Sequence, residues 1–288
     1  MRVLAIANHK GGVGKTATVH ALGAALALEG QRRVLMVDVD PQASLTGACG
    51  ILDAAERSLA EVLGTGLPGK LGLADILRPI ADNLVLAPSD IALTISELGL
   101  ATRMRRDSIL KRALAGLDDA FDLAVLDCPP SLGLLTINAL TAADAVLIPT
   151  QPQALDLRGL RLFLDTMVQI REELNPEIEI FGILVTFYSQ RLLHHRDAVR
   201  AMMEARLPVL PVRIGRSVRV AEASAASESV VTYAPDNPQA IAYRQLAQEV
   251  IRWLDPAGAL ISSSVAATGM TAPAEADVLQ ASMDPIAR

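Results

Sequence analysis

Two kinds of residue in this chain are spaced for chemistry on phosphates. The run Lys10-Gly11-Gly12-Val13-Gly14-Lys15-Thr16 joins glycines, ammonium groups and a hydroxyl, and the aspartates Asp38, Asp40 and Asp127 lie at or just past the ends of apolar runs. Glycines let the backbone curl so that successive N–H groups point inward, and a following helix N-terminus adds positive potential. Lys15 can neutralise phosphate charge, and the Thr16 hydroxyl can hold Mg²⁺. The ligand expected is a nucleoside triphosphate. Moving a phosphoryl group to water needs a cradle, a metal, an oriented water and charge neutralisation on the leaving oxygens. Gly11 to Thr16 supply the cradle, and Asp127 stands where a metal-bound water is expected. Asp38 and Asp40 read either as part of this machinery or as acids capping the next turn.

These residues need elements to bring them together. Val3 to Ala7 is an apolar run directly before the glycine-rich turn, and Ala17 to Gly30 reads as a helix rich in Ala and Leu, closed by Gly30. Arg33 to Asp38 is a buried-type strand ending in Asp38-Val39-Asp40-Pro41-Gln42, and Phe121 to Leu126 ends in Asp127-Cys128-Pro129-Pro130. Both place carboxylates at strand C-terminal ends, the edge where open α/β sheets bind ligands. Asn83 to Ala87, Ala145 to Pro149 and Ile180 to Thr186 add strands, with a helix from Leu155 to Leu174 between the last two. The alternation predicts an α/β fold, a doubly wound, mostly parallel sheet flanked by helices. Pro88-Ser89-Asp90 is read as opening one helical stretch to about Leu117. Its cluster Arg103, Arg105, Arg106, Lys111 and Arg112 fits a solvated helix face better than a phosphate-facing surface. Asn237-Pro238 supplies an N-cap and first-turn proline for a final helix ending near Leu254. One domain over 1–254 is expected, followed by an Ala-, Ser-, Pro- and Thr-rich tail, 255–288, expected to be disordered.

Composition bounds the class. With 288 residues, 51% hydrophobic and 20% charged, the chain can bury a sizeable core. No apolar run reaches the length of a membrane span, and the chain enters a strand at once rather than offering a signal peptide, so a cytoplasmic protein is expected. Cys49 and Cys128 lack metal-site or disulfide spacing. The net charge of −6 excludes a protein basic all over, so nucleic-acid contacts must be local. Between Tyr188 and Arg219 such a locality exists: Arg191, Arg196, Arg200, Arg206, Arg213, Arg216 and Arg219 face only Asp197 and Glu204.

The general phosphate-loop pattern G-x-x-x-x-G-K-[ST] has glycine where this chain has His9, and the chain offers Lys10 instead. KGGVGKT resembles the deviant Walker A of the ParA/MinD ATPases, and the resemblance extends to Val37-Asp38-Val39-Asp40-Pro41-Gln42-Ala43 and Leu126-Asp127-Cys128-Pro129-Pro130-Ser131-Leu132-Gly133. Gly182 to Thr186 and Val218 to Ala223 resemble ParA of the chromosomal (Soj-like) and small plasmid type. The resemblance implies a P-loop NTPase fold and ATP with Mg²⁺ as ligands. It implies nucleotide contacts from Lys10 through Ala17, metal-site roles for Thr16, Asp38 and Asp127, and Asp40 orienting the attacking water. Lys10 is implied to reach across a homodimer to the partner's nucleotide. The implied function is DNA segregation: an ATP-sandwich dimer on nucleoid DNA, bound without sequence preference and released when a ParB-type centromere-binding partner stimulates an otherwise weak hydrolysis. The leading DNA contacts are Arg191, Arg196, Arg213, Arg216 and Arg219.

There are departures. Ile214-Gly215-Arg216-Ser217 stands where the family has Ile-Pro-Arg-Asn, and Ala17 where a second hydroxyl is common. Asp236 and Pro238 replace basic residues near Tyr233. The tail has one basic residue, Arg288, so no membrane attachment of the MinD kind is expected. The alternatives are a ParA-like ATPase positioning another cargo, a MinD-like regulator, and a metabolic P-loop enzyme.

Overall fold

In the computed structural model, which describes residues 1–54, 57–64 and 71–255, eight strands form one sheet: β1 Arg2–Ile6, β2 Val34–Asp38, β3 Arg78–Ala81, β4 Leu84–Ala87, β5 Leu123–Asp127, β6 Ala145–Thr150, β7 Glu179–Val185 and β8 Val209–Arg213. Their order is β3-β4-β2-β5-β1-β6-β7-β8, parallel throughout except for the β3–β4 pair. The helices are α1 Lys15–Leu28, α2 Ser44–Ala48, α3 Leu59–Gly64, α4 Leu93–Leu100, α5 Ile109–Leu114, α6 Leu134–Ala142, α7 Ala154–Glu173, α8 Leu193–Glu204, α9 Val218–Ala225, α10 Val230–Tyr233 and α11 Pro238–Leu254. This is the doubly wound, mostly parallel architecture expected, with β1 and its phosphate loop near the middle.

Alternation along β1 divides the core. Leu4 and Ile6 join the layer made by α1, α10 and α11, whereas Val3 and Ala5 face the layer of α3 to α7. β2, β5 and β6 are buried along their whole length, which is why they read as unbroken apolar runs. Helix α1 lies close on β2: a Cβ added to Gly23 would stand 2.8 Å from the Met36 sulfur. Asn237 caps α11 as expected, its side chain accepting from the Gln239 amide, with Pro238 in the first turn. Among the described residues no helix is long and apolar enough to cross a membrane.

Three local expectations are corrected. The segment from Pro88 to Leu117 is two helices, not one: α4 and α5 are separated by turns in which Arg105 takes φ 52°. Residues 101–108 carry no apolar period. The start of α5 is set from outside, since Asn138 Oδ1 accepts from the Ile109 and Leu110 amides at 3.0 and 3.2 Å while its Nδ2 donates to Arg106 O at 2.7 Å. The basic cluster is partly tied down here. Arg103 donates to Leu63 O, Arg106 to Ala101 O and Arg112 to the Ser108 hydroxyl. Second, β3 is an antiparallel edge strand with no counterpart in the sequence reading, and its Pro79 suits an edge. Third, α1 ends at Leu28, and the left-handed residue beyond it is Gln31, φ 47°, not Gly30. Gly30 is required for space instead, because a Cβ there would come within 2.6 Å of Leu26 O. Of the expected tail only Asp255, which pairs with Arg32, falls inside the described residues; 256–288 lie outside them.

Candidate nucleotide site

The site lies at the C-terminal edge of the sheet, where β1, β2, β5, β6 and β7 all end. The loop from Asn8 to Gly14 leaves β1 and turns directly into α1. Gly12 (φ 72°) and Gly14 (φ 86°) occupy the left-handed region that other residues enter at a cost of about 1–2 kcal/mol. No atom lies within 4 Å of a Cβ placed on Gly12, so backbone conformation, not space, demands glycine there. Gly14 is the N-cap of α1 and has no side chain to bond the first-turn amides, so those donors are left for a ligand.

The loop is braced by residues outside the motif. Asn8 Nδ2 donates to Pro149 O at 2.7 Å, and Asn8 Oδ1 accepts from the Lys10 amide at 3.1 Å. Gln151, just past β6, donates to Gly12 O at 2.8 Å, and the Thr186 hydroxyl, just past β7, donates to Val13 O at 2.9 Å. Sequence reasoning did not single out Asn8 or Gln151, and it used Thr186 only as part of a strand. The rule that ligands gather at the ends of parallel strands was the signal that could have found them. Phe187 was also missed. It holds φ 50°, its ring lies 3.7 Å from a Cβ built on Gly14, and the Arg216 guanidinium sits 5.3 Å above it. A bulky residue in that backbone region is a strained one, kept by its surroundings at the cleft wall.

Lys15 is buried and its ammonium is turned back onto the loop, donating to Asn8 O at 3.2 Å and Lys10 O at 3.0 Å. Burial lowers its pKa, although the Asp127 carboxylate opposes this. Asp127 and Asp38 are in-register partners on β5 and β2, and both are fully buried. Their oxygens are satisfied very differently. Asp38 accepts from the Thr46 amide (2.9 Å), the Thr46 hydroxyl (2.8 Å) and the Asp40 amide (3.2 Å), whereas both oxygens of Asp127 are buried without a hydrogen-bond partner. Burial first, and then the Asp38 charge, push the Asp127 pKa well up. Thr16, near enough to favour the ionised form yet outside hydrogen-bond geometry, and Lys15 do not offset them. Burial likewise raises Asp38. A buried carboxylate with no donor is costly unless a cation or proton completes it. Asp127 beside Thr16 therefore fits a divalent cation held mainly by oxygens.

Asp40 is partly exposed on the loop after β2, with Oδ1 accepting from the Gln42 amide at 2.9 Å. It lines the same cleft, of about 540 Å³, as Gly11, Gly12, Gly14, Lys15, Thr16 and Ala17. The far wall comprises Phe187, Ile214, Gly215, Ser217 and Val220, and the floor includes His20 and Tyr243. Burial lowers the His20 pKa to about 4, so its imidazole is neutral at pH 7.

The arginines expected to meet DNA do not behave alike. Arg191 and Arg196 are exposed beside and on α8; Arg216 and Arg219 are exposed on the loop before α9 and in its first turn. Arg219 pairs with Glu222 at 2.8 Å. Arg213 is half-buried at the end of β8, its guanidinium bonded to the Leu210 and Val212 carbonyls.

Comparison with known proteins agrees with this geometry. The AAA domain family model matches residues 1–180. The sporulation initiation inhibitor protein Soj of Bacillus subtilis is 38% identical over 252 residues, covering 86% of this chain and 98% of Soj. The chromosome partitioning protein ParA of Caulobacter vibrioides is 38% identical over 255 residues, covering 87% and 94%. A crystal structure described as cobyrinic acid a,c-diamide synthase from Mycobacterium smegmatis, with bound ATP analogue and magnesium, superposes with a TM-score of 0.75 at 40% identity, covering 88% of this chain and 95% of that one. With a glycine cradle on β1, carboxylates on the tips of β2 and β5, and matches that run over most of its length, this chain belongs to the ParA/Soj family of chromosome-partitioning ATPases.

Proposed function

We propose that this protein hydrolyses ATP within a nucleotide-sandwich homodimer, that the ATP-bound dimer binds double-stranded DNA without sequence preference, and that a ParB-type centromere-binding partner stimulates hydrolysis and release. The observation that carries the nucleotide part is the pairing of an amide-lined cradle, Gly11 to Thr16, with the partnerless buried carboxylate of Asp127. In this reading the backbone N–H groups from Gly11 through Ala17 hold the phosphates, and Lys15 swings from its two carbonyl partners to the leaving oxygens. Thr16 and Asp127 are the residues that would hold Mg²⁺. Asp38, already taking three protein donors, lies beside the metal site and holds the Asp40 loop and Thr46 in place. When bound, the cation neutralises charge on the phosphate oxygens. Asp40 orients the water that attacks the γ-phosphorus as the bond to the β–γ bridging oxygen breaks, leaving ADP and inorganic phosphate. Lys10 of each protomer stabilises the charge in its partner's site, as an arginine finger does.

Arg191, Arg196, Arg216 and Arg219 supply the phosphate contacts, with Arg213 adding positive field from its half-buried place. Such contacts position a protein on DNA without reading bases, and their affinity falls steeply with salt. Dimerisation joins two modest patches into one useful surface. The protein acts in the cytoplasm on the nucleoid. A metabolic P-loop enzyme is the second reading, favoured by the name of the Mycobacterium structure.

One experiment separates the two. DNA retention is measured with no nucleotide, ADP, ATP and a slowly hydrolysed ATP analogue, across a salt series and beside Lys10→Ala. Retention confined to ATP and its analogue, lost with salt and with Lys10→Ala, is expected. No retention in any state rules out the segregation reading and leaves the metabolic one. Stimulation of hydrolysis by a ParB-type protein tests the partner.

A further inference from the structure

His9 stands where the general phosphate loop has glycine, and the structure shows where its ring goes. It is seated against α7 at Gly159, so closely that a Cβ on Gly159 would stand 2.5 Å from Cε1 and 2.8 Å from Nε2 of the imidazole. Glycine inside a helix destabilises it relative to alanine, so the notch exists at a cost to α7. The ring is its occupant. Nδ1 is buried without a hydrogen-bond partner, and burial together with the charges of Lys15 and Lys10 lowers the His9 pKa. The imidazole thus acts here by shape.

The next residue in the chain, Lys10, has its backbone held at both ends. The Lys10 amide donates to Asn8 Oδ1, whose Nδ2 is anchored on Pro149 O, and the Lys10 carbonyl accepts from Lys15 Nζ. When Lys15 turns to a phosphate it releases that carbonyl. The wedge of His9 on α7 and the Asn8 anchor are untouched by that release. We propose that His9 is a positioning residue for Lys10: its ring, lodged in the Gly159 notch, sets the direction in which Lys10 leaves the loop, while the amides and Lys15 of the protomer's own cradle do not depend on it. This rests on the reading of Lys10 as a group that acts on the partner's nucleotide. Small displacements of a catalytic group carry large rate penalties, so the wedge acts on turnover rather than on binding.

The test is single-turnover ATP hydrolysis and ADP affinity for wild type, His9→Gly, Gly159→Ala, His9→Gln, Lys10→Ala and the doubles His9→Gly/Lys10→Ala and Gly159→Ala/Lys10→Ala. His9→Gly empties the notch and Gly159→Ala fills it, so each lowers the hydrolysis rate about tenfold, with ADP affinity changed less than about twofold. His9→Gln, with a planar polar side chain of similar reach, retains the rate. In the Lys10→Ala background neither change lowers the rate further. Three outcomes overturn the inference: an undiminished rate for both single variants, a loss of ADP affinity that accounts for the slower rate, or an equal further loss on top of Lys10→Ala. A Lys10→Ala protein that hydrolyses ATP at the wild-type rate overturns the underlying reading of Lys10 instead.

Discussion

The phosphate cradle and the arginine-rich segment from Tyr188 to Arg219, the second of which we propose meets DNA phosphates, are built in opposite ways. In the cradle the backbone and its braces have places fixed by something else: Gly12 and Gly14 by φ, Asn8 by Pro149, the Gly12 carbonyl by Gln151, and Asp38 by Thr46. Of the five arginines proposed to meet DNA four are exposed, and the fifth, Arg213, is bonded back to its own strand. A site that must stabilise charge in a transition state needs preorganised donors, because groups that reorganise during reaction give up much of what they contribute. A surface that grips a polyanion anywhere along its length needs only charge density, and mobile side chains serve it well. The difference separates a site where single residues matter from one where their number matters.

Substitutions sharpen the contrast. The largest effect is expected from Lys15→Ala, which removes a cradle donor and lowers hydrolysis roughly 10²–10³-fold in steady-state assays. A loss under tenfold would mean the cradle tolerates vacancies as the surface does. Next comes the cleft floor. His20 is buried and neutral, with its pKa lowered to about 4 from 6.5, so its folded value lies below its unfolded one. Its stabilising contribution is complete above about pH 6.5 and is lost as pH falls toward 4, by about 3 kcal/mol over that window. Urea unfolding at pH 7, 6, 5 and 4 should show this fall and a flatter profile for His20→Gln, and identical profiles would refute the assignment.

Smaller effects belong to the surface. Arg216→Ala combined with Arg219→Ala should weaken ATP-dependent DNA retention roughly threefold to tenfold at moderate salt and reduce the slope of log affinity against log salt by about 1 to 2, with ATP hydrolysis in the absence of DNA unchanged. Arg216 also touches the cleft through Phe187, so a changed nucleotide affinity would show that the two regions are not separate. The smallest effect is expected from Arg213→Lys, within about twofold in retention, since phosphate contact is only part of what that side chain does. A loss as large as that of the double variant would place Arg213 among the direct contacts.

The same contrast governs how much was legible in the sequence. Glycines that must take positive φ and acids that must end apolar strands leave local signatures, so the loop, β1, β2, β5 and the placement of Asp38, Asp40 and Asp127 could be read directly. The braces could not, because Asn8, Gln151 and Thr186 act through contacts between residues more than 130 positions apart. The break between α4 and α5 was hidden for a related reason. Asn138, about 30 positions away, supplies the bonds that start α5, and nothing within 101–108 announces it. Edge strand β3 was hidden by Pro79, which argues against a central strand and is tolerated at an edge. Among the arginines, local composition marked a basic segment, but nothing in the sequence distinguishes Arg213, half-buried, from Arg216, exposed.

Whether each active site is completed by the partner's Lys10, as proposed, is decided by complementation between two inactive variants. Lys10→Ala keeps Asp40 but lacks the reaching lysine, and Asp40→Ala keeps the lysine but lacks the water-orienting carboxylate. If Lys10 acts across the interface, mixing the two purified proteins with ATP and Mg²⁺ assembles heterodimers in which the Lys10→Ala protomer's own site has Asp40 and receives the partner's lysine, and hydrolysis rises above the sum of the separate variants. A mixture no more active than that sum, under conditions where heterodimers form, would contradict the account and place Lys10 within its own protomer's chemistry.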